Sequence, residues 1–284
     1  MTVSSYFRPA SVPEALALLR EHGPDLLVLA GGTVAMPLVN EGISLPEKVM
    51  GLRRVGLDRI ERAGDWLRIG AAATLTSLTA QSDVPLLAEA ARHTASWSVR
   101  NMGTVGGNLF TPPPGGDVAT ALLGLGARVE IAGADGARVI PIEEFWTGFL
   151  TTVLASDELV TRLEVPLEGG RAAFLKLGRK AANTPAVVTV AAYAVFDGNT
   201  VAVARVALGA VGPHPLRSKG AEAAITGQTL SREVVAGAAA AATQDAQPFS
   251  DSVASAWYRR RMVGVVVGRA LSPCSPAASR SAGA

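Results

Sequence analysis

Ala30-Gly31-Gly32-Thr33 and Gly103-Thr104-Val105-Gly106-Gly107-Asn108 are two places where this chain gathers glycine at the edge of an apolar segment. Glycine reaches φ > 0 without steric cost and lets successive backbone N–H groups converge, so each cluster can form an anion nest without a cationic side chain. A diphosphate is the natural occupant. One isolated Gly-Gly pair is more often only a tight turn; two pairs weaken that reading without removing it. The second cluster lies within NMGTVGGNLFTPPPGGD, residues 101–117, where five glycines and three consecutive prolines make a poor recipe for a helix or a continuous strand. The fixed φ of those prolines would stiffen a loop that ends at Asp117.

Familiar signatures of other chemistries are missing from the sequence. No GxGxxG opens a βαβ unit and no GxxxxGK[ST] is present, which argues against Rossmann and P-loop sites. HExxH, CxxC and GxSxG are absent too, and His22, His93 and His214 are too dispersed for a metal site and read as surface or packing residues. A single cysteine, Cys274, excludes an intrachain disulfide and any cysteine-only metal cluster on this chain.

The elements that must position the glycines can be read from periodicity. SVPE at 11–14 is a capping box opening a helix, and LLVLA at 26–30 is a short buried strand running into Gly31. A hairpin turns at Ala63-Gly64-Asp65, and residues 84–96 form a helix leading to the second cluster. VATALLGLGA is helical, ARVEIAGADGARVIPI is a hairpin turning at Asp135-Gly136, and 157–166 is a strand. Beyond EGGR at 168–171, FLKLGRK, VVTVAAYAVF and VAVARVALGAV form an antiparallel meander. From about Ser218 the pattern becomes helical. Strands and helices are segregated more than they alternate, which favours α+β with a domain boundary near 168–171.

The chain has 284 residues, 49% of them hydrophobic and 18% charged, with a net charge of +2, which describes a folded, core-rich protein with room for two domains. No basic run suggests a nucleic-acid partner, and no segment approaches a membrane span. A cytoplasmic location is expected.

LAGGTVAMPLV (29–39) followed by RNMGTVGGN (100–108), GGDVATALLGLGARVEI, DELVTRLEVP, FLKLGRK and the closing SDSVASAWYRRRMVGVVVGRAL together resemble the FAD-binding medium subunit of the molybdenum hydroxylases, which include carbon monoxide dehydrogenase flavoproteins and the flavin domain of xanthine dehydrogenase. The resemblance covers nearly the whole chain. It implies a two-subdomain FAD-binding domain of the vanillyl-alcohol-oxidase/PCMH type over 1–168, with subdomains of about 1–55 and 56–168. A three-stranded antiparallel sheet with a helical bundle over 169–272 and a disordered tail over 273–284 complete the expectation.

The implied FAD-binding residues are Val28, Leu29, Ala30, Gly31, Gly32, Thr33, Val34 and Ala35 in the first loop and Thr104, Gly106, Gly107 and Asn108 in the second. Asp117 matches an acid that accepts from cofactor hydroxyls, Thr94 and Val160 match positions lining the cofactor, and Lys176 matches a nearby basic residue. Two departures stand out. Val34 and Ala35 replace what is often a polar residue followed by leucine, and Pro112-Pro113-Pro114 replaces a less proline-rich segment.

Noncovalent FAD is expected because none of the three histidines lies within either glycine loop, no metal is expected on this chain, and the resemblance implies no catalytic side chain here. Molybdopterin is expected on a large partner subunit and [2Fe–2S] clusters on a small one, in a dimer of heterotrimers. The cysteine count agrees, since a [2Fe–2S] centre takes four ligands of cysteine type. Two alternatives stay open from sequence: a flavin-free scaffold subunit of the same complex, and a stand-alone flavin oxidase.

Overall fold

The computed structural model describes residues 3–113 and 115–274. Its first unit is a parallel sheet of order β1-β3-β2, built from β1 (Ser5–Phe7), β2 (Leu26–Leu29) and β3 (Lys48–Gly51), with α1 (Val12–His22) and α2 (Ala35–Asn40) as connections. Ser11 caps α1 by accepting from Glu14 N at 3.3 Å. The reciprocal bond falls one residue earlier than a capping box requires, with Ala10 N donating to Glu14 Oε2 at 2.7 Å. Leu16, Leu19, Leu26 and Met50 fill the core of this unit.

The second unit is a five-stranded antiparallel sheet of order β4-β5-β10-β6-β7. Its leading hairpin is β4 (Ile60–Ala63) with β5 (Trp66–Gly70). Five helical segments follow: α3 (Leu75–Leu78), α4 (Pro85–His93), α5 (Trp97–Arg100), α6 (Val105–Leu109) and α7 (Asp117–Leu125). The single helix expected over 84–96 ends at His93: Thr94 is already extended at ψ 122°, and Ala95 follows in the left-handed region at φ 51° before α5. β6 (Arg128–Gly133) and β7 (Gly136–Pro141) form the next hairpin, a small hairpin of β8 (Trp146–Gly148) and β9 (Thr151–Thr152) follows, and β10 (Leu159–Pro166) enters the middle of the sheet. α7 is buried along its whole length and packs against both this sheet's core and the C-terminal sheet. That placement explains why its sequence is apolar all round.

The third unit begins at β11 (Arg171–Gly178), which pairs with β12 (Ala186–Asp197), and β12 pairs with β13 (Thr200–Gly209). A two-residue strand, β14 (Leu216–Arg217), adds a fourth member to the three expected. α8 (Lys219–Ile225), α9 (Arg232–Asp245) and α10 (Ala256–Leu271) cover one face of this sheet. The tail expected from 273 does not begin there: Cys274 is fully buried in the helix–sheet core, where its Sγ lies 3.4 Å from Ala270 O. Burial pushes its thiol up to about 11. The rest of the expected tail, 275–284, lies outside the described residues, as does Pro114.

Gly237 sits inside α9 with open space where a side chain would go. Gly237→Ala is therefore expected to stabilise the chain by about 0.4–1 kcal/mol, read as a higher melting temperature, because it restricts the unfolded backbone without meeting a neighbour.

Candidate functional site

Chain leaving β2 at Leu29 must turn over the carboxyl end of a parallel strand, the edge where open α/β sheets place ligands. Gly32, at φ +70°, makes that turn before the chain enters α2. Gly31 has a different job. A Cβ there would lie 2.1 Å from the Met102 carbonyl oxygen and 2.9 Å from Gly103 Cα, so its missing side chain lets the two glycine segments touch backbone to backbone. Thr33 Oγ1 lies against Gly103 on the same seam.

The cleft beside this seam holds about 470 Å³ and is lined by Val28 through Ala35, Thr104, Gly106, Gly107, Asn108 and Val160. Among the described residues its lining includes no lysine, arginine or histidine. Leu38, Leu52, Leu75 and Phe110 complete its apolar walls, and the segment from Leu154 to Leu159 forms one rim. Sequence reasoning missed these residues because an apolar side chain in a cleft has no local signature that separates it from core. The half-buried N–H groups of Gly31, Gly32, Thr33 and Val34 donate to no group among the described residues. Unpaired amides grouped beside a cleft offer their donors to an acceptor-rich ligand.

The second glycine segment behaves otherwise than its sequence suggested. Residues 105–109 form α6, and neither Gly106 nor Gly107 has positive φ. Their amides are already committed: Val105 N donates to Ala73 O at 2.9 Å, Gly106 N to Ala71 O at 2.8 Å, and Gly107 N to the capping Thr104 Oγ1 at 3.1 Å. The expectation of a second nest of free amides is corrected accordingly. These glycines serve close approach, since a Cβ on Gly106 would sit 2.8 Å from both Cβ and the carbonyl oxygen of Ala71. Asn108 spends its Oδ1 on Ala119 N at 2.9 Å, which ties α6 to α7.

Thr94, Asp117 and Lys176 do not line this cleft; the structure gathers them into a separate polar cluster. Gly116, at φ +85°, swings the chain into α7 and leaves Asp117 on its first turn, only 4% exposed. Lys176 reaches from β11 to donate to Asp117 Oδ2 at 2.6 Å and to His93 O at 3.1 Å. Its side chain is 7% exposed, so it is no solvated edge-strand lysine. Burial pushes the Asp117 carboxyl above its ordinary 3.8, with the Lys176 ammonium opposing. Thr94 Oγ1 donates to Ala90 O at 2.8 Å, beside the Asp117 carboxyl. Asp117 Oδ1 is buried and has no hydrogen-bond partner among the described residues. Lys176 and His93 also border a recess of about 360 Å³ closed by residues 177–184.

Unpaired amides at residues 31–34 suit an acceptor-rich ligand in the cleft, while the buried Asp117 Oδ1 is, among the described residues, an unpaired acceptor in the separate polar cluster. With a parallel α/β unit packed beside an antiparallel sheet, this describes a ligand cleft of neutral, main-chain donors, bare of cationic side chains among the described residues.

Comparison with known proteins narrows the class. Residues 2–168 match the FAD binding domain in molybdopterin dehydrogenase, and residues 172–274 match the CO dehydrogenase flavoprotein C-terminal domain. The carbon monoxide dehydrogenase medium chain of Hydrogenophaga pseudoflava is 34% identical over 94% of this chain and 95% of its own length. The glyceraldehyde dehydrogenase medium chain of Sulfolobus acidocaldarius is 31% identical over 94% of this chain and 96% of its own. In a solved structure of carbon monoxide dehydrogenase from Hydrogenophaga pseudoflava, one chain superposes with a TM-score of 0.92 at 34% identity, covering 95% of this chain and 96% of that one. The chain belongs to the family of FAD-binding medium subunits of molybdenum hydroxylases. It is an FAD-dependent oxidoreductase subunit of a molybdenum-containing hydroxylase complex, and medium chains of this kind work with a large and a small subunit. Among the described residues no helix is long and apolar enough to cross a membrane, and no cluster of ligating side chains could hold a metal.

Proposed function

We propose that this chain holds noncovalent FAD as the exit point for electrons that originate at a molybdopterin centre on a large partner and arrive through [2Fe–2S] clusters on a small one. The observation that carries this reading is the seam at Gly31, where two segments distant in sequence meet and leave the amides of residues 31–34 unspent beside the cleft. Those four amides would hold the diphosphate. Val28, Leu29, Ala30, Ala35 and Val160 would shape the walls, while Thr104, Gly106, Gly107 and Asn108 form a close-packed floor. Asp117 would accept from a hydroxyl or N–H of the cofactor through its free Oδ1, held in place by Lys176 and Thr94. When bound, FAD supplies the capacity to take up electrons singly and release them as a pair.

None of His22, His93 and His214 lines the cleft, which supports noncovalent attachment. Val34 offers no polar side chain to the ligand, and main-chain donors do not need one. The assembly in this reading is a dimer of heterotrimers. Its location is the cytoplasm, where a lone buried thiol such as Cys274 stays reduced.

The purified chain is expected to be yellow, and acid or heat denaturation should release all the visible flavin absorbance into the supernatant. A colourless chain that fails to take up added FAD would support a scaffold subunit and overturn the reading. Colour retained by the precipitate would overturn noncovalent binding.

A further inference from the structure

We infer that Arg100 is a positioning residue for the flavin site, clamping the turn that presents His93 and Thr94 to the Asp117–Lys176 pair. The inference rests on the reading above, that this pair faces bound FAD. Arg100 closes α5, and its side chain folds back so that Nη1 donates to both Thr94 O at 3.0 Å and Ala95 O at 2.9 Å. Ala95 between them holds φ 51° without being glycine, a conformation that costs an L-residue energy and persists only where its surroundings enforce it. Arg100 forms no ion pair with a carboxylate among the described residues, and its side-chain hydrogen bonds go to this turn.

What the turn carries explains the expense. His93 O, one residue before the clamp, receives the Lys176 ammonium, and Thr94 lies beside the Asp117 carboxylate. On its other side Arg100 leads within three residues to Gly103, which packs against Thr33 in the first glycine segment. Arg100 thus sits in the backbone segment that runs from the polar cluster to the seam at Gly103.

The test uses the full chain, stripped of flavin and titrated with FAD while visible circular dichroism reports the geometry of the bound cofactor. Arg100→Ala is expected to weaken FAD about tenfold and alter the dichroism, as loss of charge-assisted bonds should. Arg100→Lys, whose ammonium can donate to both carbonyls, should recover most of the affinity. Adding Ala95→Gly to Arg100→Ala should also recover affinity, because glycine adopts this φ unaided. In an Asp117→Ala background the Arg100→Ala loss should shrink towards nothing, since the clamp would act through a residue no longer there. Should Arg100→Ala fail to fold, Arg100→Met, which keeps the aliphatic stem and removes every donor, takes its place with the same outcomes.

Unchanged affinity and dichroism in the substituted chain would overturn the inference, as would a loss that neither lysine nor Ala95→Gly relieves. A parent chain that binds no FAD would instead sink the functional reading itself.

Discussion

Gly31→Ala is expected to give a chain that folds and carries almost no flavin. The added methyl would meet the Met102 carbonyl oxygen at 2.1 Å and its carbon at 2.8 Å, with Gly103 Cα at 2.9 Å. All three are main-chain atoms, so no rotamer change relieves the overlap; the two glycine segments must separate. Overpacking of this kind costs about 1–3 kcal/mol of stability, which a domain of ordinary stability survives. The cofactor has less to spare. Hydrogen bonds to a charged group contribute roughly 1.5–3 kcal/mol each, so misdirecting two of the four amides at residues 31–34 should weaken FAD by at least about a hundredfold. Gly32→Ala makes an instructive comparison: φ +70° strains it, but its nearest contact is Met36 Cγ at 3.3 Å, the flexible part of a side chain. The flavin-to-protein ratio after gel filtration should therefore fall further for Gly31→Ala than for Gly32→Ala. Equal retention of flavin by Gly31→Ala and the parent would show that the seam does not shape the binding cleft.

The largest stability effect is expected at Asp251. Arg259 of α10 is fully buried, yet its Nη1 donates to the carbonyls of Ala186, Val187 and Ala210 at 3.0, 2.8 and 2.9 Å. Its Nη2 bonds both oxygens of Asp251 at 2.8 and 2.9 Å, and its guanidinium lies 4.9 Å from the Phe249 ring. This one side chain fastens α10 to the ends of β12 and β13. Asp251→Ala would take the charge-assisted bonds from a fully buried guanidinium whose partner carboxylate is partly exposed, which costs about 3 kcal/mol, the upper end for hydrogen bonds to a charged group. The melting temperature should drop by roughly 6–12 °C for a chain of this size.

Acid should act in the same direction on the parent. Burial alone would raise the Asp251 carboxyl, but bonds from Ala254 N, Arg259 and Val253 N outweigh it and hold the group below its ordinary 3.8. A depressed native value means the stabilisation is complete above 3.8 and disappears as pH falls through the native value. Melting curves below that pH should converge for parent and Asp251→Asn. A constant gap between them would rule the ion pair out as the cause.

Much of the scaffold could be read locally. Alternation and turn residues marked the hairpins at Gly64 and Gly136, and the apolar runs after residue 171 gave the meander. Composition also located both glycine segments. Local reading failed where the same residue type does different work. Gly32 relieves a dihedral, whereas Gly31 and Gly106 make room for backbone from elsewhere in the chain, and nothing in the sequence beside them separates the two uses. Arg100 had no local signal of its role until the fold brought two carbonyls to it, and Lys176, placed near the cofactor by resemblance alone, gained its carboxylate partner only in the fold. Cys274 resembled tail because its neighbours in sequence are proline and serine, while its neighbours in space are core.

Backbone dihedrals and hydrophobic period depend on residues adjacent in sequence, so the chain itself fixed its elements and the edges where glycine gathers. Close approach, burial and ion pairing depend on which distant segments meet. Only the packed structure could decide which amides stay free and which acid keeps an oxygen unspent.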